Sequence, residues 1–242
     1  MANKFRLFKR KAHPFCSAVV LAAGLSQRMG EDKLFHLLDG VPVIVRTLMA
    51  LDRSPYIHEI IVVTRSERIV DVANLCRDYG IAKVTKVLCG GSTRIESSLA
   101  GMSEISPKAR LAAIHDGARP LVPQKVIEDA VKAARLYKAV APAIPVKDTV
   151  RLAESGVVTE TPDRRITMAV QTPQVFDPDL IKGALTHALQ NELEVTDDCS
   201  AVEALGVQVH LCPGSEENIK LTTPLDFELA EAIINSRRRK MA

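Results

Sequence analysis

The sequence has no pair of cysteines in C-x-x-C spacing, and its cysteines show no metal-ligand spacing. Its five cysteines, Cys16, Cys76, Cys89, Cys199 and Cys212, are an odd number and mostly sit in apolar segments. That argues against a disulfide framework and for buried thiols in a reducing, cytoplasmic setting. No segment approaches the ~18 consecutive apolar residues of a membrane-spanning helix, so no membrane partner is expected. Neither charge sign dominates: 32 Lys and Arg stand against 29 Asp and Glu, and a net charge of +3 is too small to mark a nucleic-acid binder. Much of that excess lies at the ends, in Lys4, Arg6, Lys9, Arg10 and Lys11 and in Arg237, Arg238, Arg239 and Lys240. These runs read as solvated termini, a basic N-terminal extension over 1–16 and a basic tail over 238–242. Two phosphate-binding fingerprints are missing as well. Without G-x-x-x-x-G-K-[ST] the chain is no ATPase-type P-loop protein, and without G-x-G-x-x-G it lacks the dinucleotide fingerprint. Internal repeats and low-complexity segments are also absent.

What the sequence does contain is ordinary globular material, 47% hydrophobic and 25% charged over 242 residues, enough for one domain spanning 17–237. Short β-branched runs alternate with helical patterns. Strands are predicted at Ser17–Leu21, Glu59–Thr64, Lys83–Leu88, Leu111–Ile114, Ala139–Ile144 and Val207–Cys212. Helices are predicted at Pro42–Asp52, from an N-capping Ser66 to about Tyr79 with Gly80 closing it, and at Thr93–Glu104 and Pro123–Tyr137. Three more follow at Pro178–Gln190, Thr196–Leu205 and from an N-capping Thr223 to about Ser236. The basic residues ahead of Cys16–Leu25 mimic a signal peptide, but that run leads straight into a loop signature and reads as the first core strand. The pattern is α/β: a mostly parallel twisted sheet flanked by helices on both faces, with ligands beyond the carboxyl ends of its strands. The polar stretch at about 146–167, with a turn signal at Ser155-Gly156, breaks the rhythm and reads as a protruding β-hairpin arm. An arm with so little core of its own needs a partner, so a homodimer is expected.

The most telling stretch is Val19-Val20-Leu21-Ala22-Ala23-Gly24-Leu25-Ser26-Gln27-Arg28-Met29-Gly30-Glu31-Asp32-Lys33. An apolar strand ends in Ala22, Ala23 and Gly24, whose small side chains let backbone N–H groups approach an anion closely. Arg28 and Lys33 add positive charge to the same loop. The alternative is a glycine turn with two solvated surface cations. The pattern L-A-A-G-x-x-x-R-M-G-x-x-K resembles the opening signature of the nucleotidyltransferase superfamily, whose Rossmann-like members transfer a nucleotidyl group to a phosphate or sugar phosphate.

Further blocks follow the later strands. Gly90-Gly91-Ser92-Thr93-Arg94 places glycines and hydroxyls at a helix N-terminus, suited to a base edge or an anion. In His115-Asp116-Gly117-Ala118-Arg119-Pro120, Asp116 suits hydroxyls and Arg119 suits a phosphate, unless the two simply pair; His115 reads as structural. Gln171-Thr172-Pro173-Gln174, Thr196-Asp197-Asp198 and Asn218-Ile219-Lys220-Leu221-Thr222 complete the set. In this order, together with Val146-Lys147-Asp148-Thr149 and Asp163-Arg164, the chain resembles the 2-C-methyl-D-erythritol 4-phosphate cytidylyltransferases of non-mevalonate isoprenoid synthesis, from about Ser17 to Ile234.

The resemblance implies that CTP lies over Ala22, Ala23, Gly24, Arg28 and Lys33, with its base near Gly91, Ser92 and Ser97. It implies that the methylerythritol phosphate meets Asp116, Arg119, Thr172 and Lys220, with Asp116 also on the nucleotide side. Thr149 and Arg164 would reach from the arm into a partner subunit's site, in a homodimer with interlocking arms. Arg28, Lys33 and Lys220 would be the catalytic cations. Mg2+ would ride mainly on the CTP phosphates, with no protein metal ligand assigned. One departure from the family is the short Glu31-Asp32-Lys33, which lacks the proline usual before the lysine and is similar to loops of molybdenum-cofactor nucleotidyltransferases. Three alternatives stay open: a ribitol 5-phosphate cytidylyltransferase, a molybdopterin-type nucleotidyltransferase, and a non-catalytic nucleotide sensor on the same fold. Because the chain ends soon after its last predicted helix, a fused cyclase of the same pathway is not expected.

Overall fold

Apolar runs without polar interruption build the centre of the sheet. The computed structural model describes residues 13–24 and 32–241. In chain order the elements are β1 (Cys16–Ala22), β2 (Leu37–Leu38), β3 (Val41–Pro42), α1 (Val43–Asp52), β4 (Glu59–Thr64), α2 (Ile69–Asp78), β5 (Val84–Cys89), α3 (Arg94–Ser103), β6 (Leu111–Asp116) and α4 (Gln124–Tyr137). They continue with β7 (Ala139–Pro145), β8 (Leu152–Glu154), β9 (Val157–Glu160), β10 (Met168–Val170), β11 (Gln174–Phe176), α5 (Pro178–Gln190), α6 (Asp198–Ala204), β12 (His210–Pro213) and α7 (Pro224–Met241).

β5, β4, β1 and β6 lie side by side and parallel. Successive residues of a strand point to opposite faces, and both faces here are covered. Ala18, Val20, Ile60, Val62 and Ala113 join the core under α1, α2, α4 and α7. Val19, Ile61, Val63, Ala112 and Ile114 join the core under α3, α5 and α6. Beyond β6 the sheet becomes mixed: β11 runs antiparallel between β6 and β7. β12 is parallel to β7 on its other side, because Val140 pairs with both Val175 and His210. Val170 of β10 pairs with Ala143, as does Pro213 of β12, so β10 continues along the same side of β7 as β11.

The expected α/β architecture is therefore present, with differences of detail. The short β2, β3, β10 and β11 were not anticipated, since strands of two or three residues carry no usable period. Ser66 does not cap α2. A 3-10 turn over Ser66–Arg68 precedes the helix, and the Ser66 hydroxyl bonds only its neighbour Glu67, at 3.2 Å. Gly80 does close α2, at φ +63°. Thr93 caps α3 in a reciprocal pair with Glu96. α7 starts at Pro224, directly after Thr223 as expected, and the Asp226 carboxylate reaches back and accepts from the N–H groups of Thr222 and Thr223, both at 2.7 Å. Cys16, Cys76, Cys199 and Cys212 are buried free thiols, while Cys89 is exposed. No helix among the described residues is long and apolar enough to cross a membrane.

The arm is a two-stranded antiparallel ribbon of β8 and β9. Ser155 and Gly156 both have positive φ, +50° and +81°, as a tight two-residue hairpin turn requires. Every residue of β8 and β9 is exposed, including Leu152, Val157 and Val158.

Candidate active site

The site follows from strand order. The chain leaves β1 toward β4 and β5, then crosses to β6 on the opposite side of β1. A crevice opens at such a switch point, beyond the carboxyl ends of the strands. A cavity of about 480 Å3 lies there, lined by Ala22, Ala23 and Gly24 from the end of β1, Gly91, Ser92 and Ser97 after β5, Asp116 from β6, and Lys33 and Lys220. Residues spread over most of the chain thus meet around one cavity. Two glycines permit the close packing of these loops. A Cβ on Gly90 would sit 2.7 Å from Ser97 Oγ and 2.9 Å from Ala23 Cβ, and one on Gly117 would sit 2.9 Å from Leu21 O.

Asp116 is the electrostatic centre. Its Oδ2 lies 3.1 Å from Lys220 Nζ and 3.2 Å from Arg119 Nε. Burial opposes ionisation of this carboxyl, but Lys220, Arg119 and Arg94 more than offset it and hold its pKa down to about 2. The Lys220 side chain is 45% exposed and so remains open to the cavity.

Behind Asp116 lies a closed polar floor. The Asp116 N–H donates to Thr172 Oγ1 at 3.1 Å, and Thr172 Oγ1 contacts His115 Nδ1 at 2.9 Å. Asn218 Nδ2 donates to Thr172 O at 2.8 Å and to Gln171 Oε1 at 3.2 Å, while Arg119 Nη1 donates to Asn218 O at 2.7 Å. His115 is fully buried, and that burial lowers its pKa to about 4, so it is a neutral spacer at ordinary pH. Arg119 and Thr172 therefore stand in the support of Asp116 and are not part of the cavity lining.

Two residues outside the expected site enter the picture. Arg94 lines the cavity, and its Nη2 donates to Asp198 Oδ2 at 2.6 Å; Ser98 Oγ donates to Asp198 Oδ1 at 2.7 Å. The Asp198 carboxyl is fully buried, and that burial raises its pKa, with Arg94 opposing. Neighbouring Asp197 caps α6 and accepts from Gln174 Nε2 at 2.5 Å. The only sequence signal for Arg94 was its place just after the glycine pair, at a helix start. Nothing in the sequence tied it to Asp198, 104 positions away.

Arg28 lies outside the described residues. Thr149 and Arg164 stand exposed on the arm segment, away from this chain's own cavity, with Arg164 Nη1 donating to Lys147 O at 3.3 Å. Among the described residues no three His, Cys, Asp or Glu side chains gather into a metal-binding cluster.

Comparison with known proteins adds the family. The family model for 2-C-methyl-D-erythritol 4-phosphate cytidylyltransferase matches residues 16–236. A protein of that name from Caldanaerobacter subterraneus subsp. tengcongensis is 42% identical over 222 residues, 90% of this chain and 98% of the relative. One from Clostridium novyi is 40% identical, covering 90% and 96%. Among solved structures, a 4-diphosphocytidyl-2C-methyl-D-erythritol synthase from Anaerococcus prevotii superposes with a TM-score of 0.82 at 32% identity, covering 91% of this chain and 98% of that one. With the family's match running from β1 into α7 and its fold reproduced over nine-tenths of the chain, this protein belongs to the 2-C-methyl-D-erythritol 4-phosphate cytidylyltransferase family.

Proposed function

We propose that the cavity at the carboxyl edge of the sheet is where the family's reaction takes place: CTP and 2-C-methyl-D-erythritol 4-phosphate give 4-diphosphocytidyl-2-C-methyl-D-erythritol and pyrophosphate. The observation that carries this reading is the convergence of a side-chain-poor strand end, Ala22–Gly24, with Lys33 and Lys220 around one cavity. CTP lies along Ala22, Ala23 and Gly24, with its base against Gly91, Ser92 and Ser97 and a ribose hydroxyl on Asp116. The acceptor's phosphate meets Lys220 and its hydroxyls meet Asp116. Arg119 and Thr172 hold Asp116 in place.

A phosphate oxygen of the acceptor attacks the α-phosphorus. The new P–O bond forms as the bond to the β-phosphate bridging oxygen breaks, and pyrophosphate carries away that electron pair. The nucleophile is already ionised at neutral pH, so no general base is needed, in keeping with a site whose buried histidine is neutral. The barrier lies in bringing two polyanions together and stabilising charge on the α-phosphoryl oxygens. Arg28, Lys33 and Lys220 supply that charge. Among the described residues the one carboxylate in the cavity lining, Asp116, is already paired with Lys220 and Arg119. A magnesium ion therefore fits as part of the Mg–CTP substrate, held through phosphate and water, where it neutralises the triphosphate.

The domain spans 17–237, flanked by a basic extension and tail. The exposed apolar face of β8 and β9 supports a homodimer in which Thr149 and Arg164 complete the partner's cavity. Free thiols support a cytoplasmic location. The test is pyrophosphate release from CTP and Mg2+ with methylerythritol 4-phosphate or ribitol 5-phosphate as acceptor, for wild type and Lys33→Ala. Turnover of the first acceptor alone, lost in the variant, is the expected result. Turnover of ribitol phosphate instead would reassign the acceptor, and turnover of neither would sink the reading.

A further inference from the structure

Both described ends of the loop that carries Lys33 are fastened to one short stretch at the end of β4 and just beyond it. At the first end, Thr64 Oγ1 donates to Ala22 O at 3.4 Å. At the second, Asp32 is nearly buried, its side chain 13% exposed, and its Oδ2 accepts from Arg65 Nη2 and, at 3.2 Å, from Arg68 Nε. Arg65 precedes and Arg68 ends the 3-10 turn Ser66–Arg68. The turn brings both guanidinium groups to one carboxylate oxygen of Asp32. Arg68 also lies 4.6 Å over the Phe35 ring, and the Phe35 N–H donates to Asp32 O at 2.9 Å. On the far side of Lys33, Leu34 is buried and its carbonyl accepts from the Ile44 N–H at 2.9 Å. Arg65 and Arg68 carry second acidic partners, Glu67 at 3.2 Å and Asp71 at 2.8 Å, and neither lines the cavity. Their charge is spent on the scaffold and not on a ligand.

We infer that Asp32, Arg65 and Arg68 form a clamp that sets the position of Lys33 against the transferring phosphate. They are positioning residues acting through Lys33, and the inference rests on the reading of Lys33 given above. Stabilisation by a fixed charge depends on its being in place before reaction, and a displacement of about 1 Å at such a group can cost about a hundredfold in rate. A clamp of three charged side chains, joined to β4 and to Phe35, removes that freedom at the residue next to the lysine.

The experiment measures kcat and KM for pyrophosphate release by the full chain with CTP, Mg2+ and methylerythritol 4-phosphate. It compares wild type, Lys33→Ala, Asp32→Ala, Asp32→Ala with Lys33→Ala, and Arg65→Ala with Arg68→Ala, each checked by thermal melting. Loss of a clamp residue should lower kcat about tenfold while KM for CTP changes less than about threefold. In the Lys33→Ala background, Asp32→Ala should cost less than about twofold, because its effect runs through the lysine. A loss of the same factor with and without Lys33, or an unchanged kcat in Asp32→Ala, would overturn the clamp while leaving the role of Lys33 intact. A Lys33→Ala enzyme with wild-type rate would overturn both. Should Asp32→Ala fail to fold, the Arg65/Arg68 pair decides the matter, combined with Lys33→Ala in the same way.

Discussion

The cavity floor and the arm are opposite solutions to placing polar groups. Around Asp116, the side chains of His115, Thr172, Gln171 and Asn218 are buried and bonded to one another within this one chain. On the arm, β8 and β9 expose Leu152, Val157 and Val158 and bury nothing. The floor makes its hydrogen bonds within a single chain, and among the described residues Asn218 Oδ1 is its one buried side-chain atom left without a partner. A lone two-stranded ribbon is marginal in water, so the arm's geometry is finished only by something docked against it. The proposed chemistry rests on the first kind of structure, and the proposed assembly on the second.

Five measurements would break or sharpen that contrast. The largest effect is expected at the cavity mouth: Lys33→Ala should lower kcat by about 10²–10³, the cost of losing one positioned electrostatic donor, with little change in melting temperature. Stopped or coupled pyrophosphate assays read the first quantity and calorimetry the second.

The floor should show itself as a pH dependence of stability. Because the folded-state pKa of His115 is lowered to about 4, the unfolded chain binds the extra proton first. Stability is then full above about pH 6.5 and falls as the pH drops toward 4, by on the order of 3 kcal/mol at ~1.4 kcal/mol per unit. Asp116, held down to about 2, extends the loss below pH 4, since its contribution is present above its unfolded value and disappears as the pH falls through the folded one. Urea melts of His115→Gln between pH 4 and 7 should show a flatter curve than wild type; an identical slope would remove His115 from the account.

On the arm, Arg164→Ala should lower kcat/KM about tenfold to a hundredfold, in line with losing a charged hydrogen bond of about 1.5–3 kcal/mol, without altering the thermal melt of the fold. Val157→Asp with Val158→Asp should shift the sedimentation coefficient toward a monomer and reduce activity with it. A monomeric variant with full activity would separate the arm from catalysis. The smallest effect discriminates helix starts: Thr93→Ala, which removes a reciprocal cap, should cost about 1 kcal/mol, whereas Ser66→Ala should stay within about 0.5 kcal/mol because Ser66 caps nothing. Equal costs would contradict the capping geometry.

Legibility differed between these regions for a physical reason. Runs such as Glu59–Thr64 and Leu111–Asp116 announce themselves because strands buried on both faces must be apolar throughout. The hairpin was visible in Ser155-Gly156 because only certain residues tolerate positive φ. The cavity lining from Ala22 to Gly24 was legible because small residues at a strand end have few other uses.

By itself, then, the sequence determined what is local: the alternation of strands and helices, the side-chain-poor loop ahead of Lys33, and the turn of the arm. Only the tertiary structure decided what depends on distance through space. It brought Asp198 to Arg94, Asn218 to Thr172 and the Asn218 carbonyl to Arg119. It also placed Arg65 and Arg68 on Asp32. Such pairings satisfy buried charge and hydrogen bonds between segments far apart in the chain, and they leave no period or spacing in the sequence to betray them.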